Sequence, residues 1–140
     1  MPSHAMLQPA LALVLWTFVM WLWMYATRIP AIRGVRMKLD PTRPRGEQMA
    51  ELPPEVRWKA DNYNHLFEMP TVFYAVALSL AVLGVDSALE VGLAWAYVAL
   101  RVVHSLVQSL INKIELRFAV FALSSLVLMA LSILAMLRVV

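Results

Sequence analysis

Cysteine is absent from the 140 residues. That excludes disulfides, zinc–thiolate sites, iron–sulfur clusters and a protein thiol nucleophile. Any sulfur chemistry would rest on a thiol brought in by a ligand. Charge is scarce too: charged residues make up 15% of the chain, against about 25% in ordinary soluble domains. A chain so poor in charge cannot clothe a solvated surface. No internal repeat and no low-complexity segment interrupts it, and its length argues for one domain, residues 1–140.

What fills the space is apolar. Hydrophobic residues reach 61% and the mean hydropathy is +0.69. Ala5 to Thr27 and Phe118 to Leu137 contain no charged residue, and about 20 apolar residues suffice to cross a bilayer. Met69 to Val85 is a little short alone. The preceding "LPPE" supplies a helix start, with Pro54 suited to a first turn and Glu55 complementing the helix dipole. Val91 to Ile111 completes the set. The expected fold class is all-α integral membrane, a four-transmembrane-helix bundle with spans at about 6–28, 54–84, 88–112 and 116–138. The leader "MPSHAM" has no Lys or Arg and the run after it is too long for a cleaved segment, so the first span is expected to stay in the mature protein.

The pI near 9.6 hints at nucleic acid, but the bases flank apolar segments, so membrane orientation explains them and no nucleic-acid partner is expected. Arg28, Arg33, Arg36, Lys38, Arg43, Arg45, Arg57 and Lys59 crowd the first connection and its exit. The second connection, "GVDSALE", has acids only, and the third has Lys113 and Arg117. The positive-inside rule places the first and third connections in the cytoplasm and both termini outside. Arg138 is the one base on the wrong side. The proline-rich stretch from Arg28 to Pro54 reads as a surface loop with a short interfacial helix near Arg33 to Lys38.

Polarity inside the spans is confined to stripes. Asp61, Asn64 and Glu68 share one helix face by their spacing, continued by Arg57, with His65 beside it. Tyr97, Arg101, His104 and Gln108 share another. Neither stripe can face lipid. At 1.5 Å rise per residue, Glu68 lies roughly 18 Å and Arg101 roughly 16 Å from the cytoplasmic edge. That depth match predicts a Glu68–Arg101 ion pair, within one subunit or across an interface. Pro70 frees the carbonyl of Leu66, for a cavity or simply for a kink. The stripes read either as interhelical glue or as a polar cavity open to the cytoplasm. The number of converging groups favours the cavity. Arg36, Arg57, Lys113 and Arg117 at its rim suit carboxylates, Asn62, Asn64 and His65 offer hydrogen bonds, and Glu68 suits an ammonium group. The ligand expected there is anionic, with amine or amide character.

"RWKADNYNHLFEMPTVFY" (Arg57–Tyr74) resembles the second-helix motif of the MAPEG family, the membrane-associated proteins in eicosanoid and glutathione metabolism. "LRVVHSLVQ" is similar to that family's third-helix Arg-x-x-His segment, Arg117 to an arginine at the start of its last helix, and "IRGVRMK", with Arg36, to its basic segment after the first helix. The closest likeness is to bacterial members, which implies a bacterial inner membrane. The resemblance implies a homotrimer in which glutathione, as co-substrate, binds between subunits from the cytoplasmic side. A lipophilic small-molecule substrate, an electrophile or lipid hydroperoxide, would arrive from the membrane lipids. The glutathione-site positions it implies are Arg36, Arg57, Asn64, Glu68, Arg101, His104 and Gln108, with Arg117 as the catalytic residue that stabilises the thiolate. No metal is implied. Gln108 stands where several members carry tyrosine, and some members bind ligands without turning them over.

Overall fold

The computed structural model describes residues 1–140, and every regular element is helical. α1 runs His4–Gly34, α2 Pro54–His65, α3 Met69–Val82, α4 Ala88–Leu106 and α5 Ile114–Leu137. α2 and α3 together make one crossing, so four helical segments are long and apolar enough to span a membrane. The protein is therefore an integral, multi-pass, four-helix membrane bundle.

α1 starts where Ser3 Oγ accepts the Met6 amide at 3.3 Å, an N-cap that satisfies one orphan donor. Met6, Ala10, Leu13, Met20 and Met24 are buried and recur at helical spacing, forming the stripe turned toward the other helices. Leu11, Leu15, Phe18 and Leu22 are exposed, as a lipid-facing side should be. Phe73, Ala77, Leu80 and Ala81 from α3, Ala94, Tyr97 and Val98 from α4, and Leu128, Leu131 and Ala135 from α5 complete one contiguous core. Trp16 Nε1 donates to Ser105 Oγ at 3.0 Å, tying α1 to α4.

One expectation about the first connection needs correction. No separate helix occupies residues 33–38, because α1 itself continues to Gly34 through Pro30. At 31 residues it is about 46 Å long, well beyond the roughly 30 Å hydrocarbon core. Its charged end therefore emerges intact into the interface. The helix stops at Val35, and Arg36 takes a left-handed φ of 51°. The loop that follows is ordered by its own side chains. Asp40 Oδ1 accepts the Thr42 amide at 2.9 Å and the Thr42 hydroxyl at 2.7 Å. Arg43 bridges Glu47 at 2.9 Å and Glu51 at 2.7 Å. A single 3₁₀ turn, Met49–Glu51, precedes α2.

The expected continuous helix from Pro54 is broken as well. α2 ends at His65 and α3 begins at Met69. Pro70 lacks the N–H that would bond the Leu66 carbonyl, and the backbone adapts with tight turns, the Glu68 amide donating to the His65 carbonyl at 3.1 Å.

At the far end of the bundle Arg138 donates through Nε at 3.0 Å and Nη2 at 2.7 Å to Oε1 of the buried Glu90. The base that runs against the charge rule is thus held by an acid, closing α5 onto α4. Ser3 N–H donates to the Ala81 carbonyl at 2.7 Å, and Met1 crosses the turn after α3 at Gly84.

Gly84 has φ +71°, and a Cβ there would lie 2.5 Å from the Met1 carbonyl oxygen. Gly84→Ala is expected to cost about 1–3 kcal/mol, read as a lowered unfolding midpoint in detergent. The hydrogen bonds from Thr42 hold the Asp40 carboxyl below its usual 3.8. Its stabilisation of the turn is therefore complete above 3.8 and lost as pH falls through the lower folded value. The Thr42 amide shift should titrate with a midpoint below 3.8, and Asp40→Asn should abolish the transition.

Candidate functional site

α4 supplies the polar spine. Ser87 caps it, accepting the Glu90 amide at 3.4 Å, and from Val91 to Ala96 it is apolar. Tyr97, Arg101, His104 and Gln108 are all buried, as their shared face requires. Tyr97 stacks on Phe73 with ring centroids 4.6 Å apart. Arg101 is wholly buried, and none of its three guanidinium nitrogens has a partner within the chain. The Tyr97 hydroxyl, His104 Nδ1 and Gln108 Oε1 are likewise buried without partners. A buried polar atom left so costs about 1–3 kcal/mol, so these are the atoms that a further hydrogen-bond partner would stabilise most.

Past Leu106 the helix widens into a π turn, Val107–Ile111. Val107, Gln108 and Ser109 are consecutively buried, which a plain α-helix crossing a bundle edge does not allow. The turn closes on Asn112, whose amide donates to the Val107 carbonyl at 2.6 Å and whose φ is 50°. Lys59 secures the widened turn from α2. Its buried Nζ donates to the Glu55 carbonyl at 2.9 Å and the Ser109 carbonyl at 3.4 Å, and lies 5.1 Å over the Trp23 ring.

The second-span stripe faces elsewhere than its depth implied. Lys59, Asn62 and Leu66 are the buried face of α2, whereas Asp61, Asn64 and Glu68 are exposed on the single subunit and Arg57 is half-buried. The predicted Glu68–Arg101 pair does not form within the chain. Glu68 instead accepts from His65 Nδ1 at 2.7 Å, with its side chain 65% exposed. Equal depth fixes the level of two residues and not their direction around the axis. Leu66 enters the apolar core, and the break at 66–68 turns Glu68 away. Asn62, read from sequence as a hydrogen-bonding group for the cavity, is wholly buried with both side-chain polar atoms unpartnered and does not line the cavity described next.

A cavity of about 270 Å³ gathers the remaining groups. His65, His104, Gln108 and Arg117 form its polar side, and Ile114, Phe118 and Phe121 its apolar side. The His65 and His104 rings lie 5.0 Å apart, with Phe121 5.5 Å from His65. Arg117 Nη1 donates to Asn112 Oδ1 at 2.6 Å. Of the groups read from sequence, His65, His104, Gln108 and Arg117 meet here. Arg36, Arg57, Asn64, Glu68 and Arg101 do not line this cavity. The sequence reading omitted the aromatic wall, whose only signal is helical spacing from Arg117: Phe118 is adjacent and Phe121 one turn on. It also passed over Asn112, a residue type that tolerates left-handed backbone between two helical runs.

The MAPEG family model matches residues 6–137. The chain belongs to the MAPEG family. Comparison of this MAPEG protein with curated proteins and with solved structures gives no match. In MAPEG terms the likeness read from the second and third spans extends over nearly the whole chain, and the motif residues fall apart: His104, Gln108 and Arg117 on a half-open cavity, Arg57, Asn64 and Glu68 on an outward strip of the second crossing, and Arg101 buried between them.

The His65–Glu68 contact and the missing Glu68–Arg101 contact are separable by double-mutant cycles. His65→Ala with Glu68→Gln should show a coupling of about 0.5–1 kcal/mol, and Arg101→Met with Glu68→Gln less than about 0.5 kcal/mol. Unfolding of the detergent-solubilised protein is the measurement.

Proposed function

We propose that this MAPEG protein is a membrane-bound glutathione-dependent transferase or peroxidase-like enzyme acting on a lipophilic electrophile or lipid hydroperoxide. The observation that carries the reading is Arg117 in a cavity whose other wall is aromatic. A cationic guanidinium beside an anion-binding space, next to an apolar surface, suits a charged thiol compound meeting a lipophile.

The residues present fit glutathione. His104 Nδ1 and Gln108 Oε1 are buried atoms without partners at the cavity, and the absence of cysteine agrees with a thiol supplied by the ligand. Bound glutathione would supply the nucleophilic sulfur. Arg117 would favour the thiolate by its charge, and His65, His104 and Gln108 would orient the peptide groups. Phe118 and Phe121 would hold the lipophile and exclude water. In a conjugation, the sulfur–carbon bond forms as the leaving group departs with its electron pair, and the thiol proton passes to water.

The outward strip of Arg57, Asp61, Asn64 and Glu68 supports a homotrimer. Such a strip cannot stand against acyl chains, and a neighbouring copy would cover it and complete the ligand site with Arg36. The basic connection 35–53 supports the orientation with both termini on the non-cytoplasmic side, in a bacterial inner membrane. A second reading, a protein that binds an anionic metabolite or lipid without chemistry, draws on Gln108. Its amide has no acidic proton to give where several members carry tyrosine.

Glutathione at 100 times its Kd should raise the unfolding free energy by about 2.7 kcal/mol, read as a thermal shift in detergent. Arg117→Ala should lower turnover of a generic electrophile about 10²–10³-fold. Stabilisation without wild-type turnover would favour the binding reading, and no stabilisation by glutathione would remove the enzymatic one.

A further inference from the structure

Arg117 sits one turn into α5, with its amide bonded to the Lys113 carbonyl at 2.9 Å. A flexible side chain at a helix start has many rotamers, most of which would carry the guanidinium into the interface. Only one hydrogen bond within the chain restrains it, the 2.6 Å contact from Nη1 to Asn112 Oδ1. Asn112 is itself fixed twice. Its backbone is left-handed, a conformation costly to most residues and tolerated by Asn, Asp and Gly. Its N–H closes the π turn on Val107, the turn that Lys59 holds through the Ser109 carbonyl. A rigid chain of contacts thus runs from α2 through the π turn to the guanidinium.

We propose that Asn112 is a positioning residue that holds the guanidinium of Arg117 at the cavity. A planar guanidinium has five N–H donors. With Nη1 occupied by a neutral amide oxygen, the charge is undiminished and the remaining donors are free for an anion. A carboxylate in the same place would hold the arginine equally well but cancel its field. The effect on chemistry rests on reading the cavity as a glutathione site, whereas the positioning itself does not.

The experiment uses full-length protein in detergent, labelled with ¹⁵N-arginine, without ligand and then with glutathione. Asn112→Gly keeps the left-handed backbone and removes the acceptor, and Asn112→Asp keeps both backbone and acceptor but adds a charge. Resonances of Arg117 are assigned by their loss in Arg117→Lys. Slowed guanidinium rotation is expected in wild type and Asn112→Asp, and free rotation in Asn112→Gly. Equal rotation in wild type and Asn112→Gly would overturn the proposal. With glutathione, both variants should raise the midpoint of the bound thiol's ultraviolet titration by about one pH unit and cut kcat/KM about tenfold. In an Arg117→Ala background Asn112→Gly should change neither. A midpoint unmoved by Asn112→Gly in the presence of Arg117 would count against the residue's influence on the thiol. If glutathione fails to bind wild type while Asn112→Gly still frees Arg117, the glutathione reading falls and the positioning stands.

Discussion

Hydrocarbon offers a polar side chain no water, and that one constraint organises this molecule. Four apolar helices can associate in many ways, because their lipid-facing and mutual contacts are chemically alike. The spine of Tyr97, Arg101, His104 and Gln108 removes most of that freedom. Pointing it at acyl chains is costly enough that α4 takes one rotational setting. α1 and α5 then pack around α4, and Trp16 reaches across to Ser105. The apolar core supplies much of the packing. The polar spine decides which packing it is.

The two ends of the bundle treat their polar groups differently. At the far end Arg138 answers one oxygen of Glu90, leaving only Oε2 without a partner, and the N-terminal residues cross the turn after α3. At the basic end Asn62, Arg101, His104, Gln108 and Ser109 bury atoms with no answer in the chain. A protein that wanted only adhesion between helices would satisfy these groups locally. Leaving them open carries a cost, which the proposed ligand or a neighbouring copy would offset.

Much of the architecture was readable from residues alone, because bilayer thickness converts directly into run length. Four spans, the basic first connection and the inward face of α4 all follow from hydropathy and periodicity. The cavity was readable in part: His104 and Gln108 from their stripe, His65 from its place beside the other, and Arg117 as a rim base and from family likeness. The face of α2 was not. Its Asp61–Asn64–Glu68 spacing looks like an inward stripe, and only the competing demand of Leu66 and the proline-induced break turns it outward. Periodicity identifies residues that share a side. It does not say which side meets the core when both carry polar groups, as the buried Lys59 and Asn62 demonstrate. The extent of α1 was missed for a related reason. A membrane helix does not have to stop at the membrane, and the arginines of its last turns are compatible with helix once they reach the headgroups.

The interruption between His65 and Met69 separates a single crossing into two pieces joined by a hinge-like seam. Because the upper piece is anchored by Phe73, Ala77 and Leu80, the lower piece can adopt its own twist without disturbing them. Insertions or respacing among the lower residues would then be absorbed at the seam rather than transmitted along the span. Diversity in what such a crossing recognises need not compromise how it is held in the bilayer.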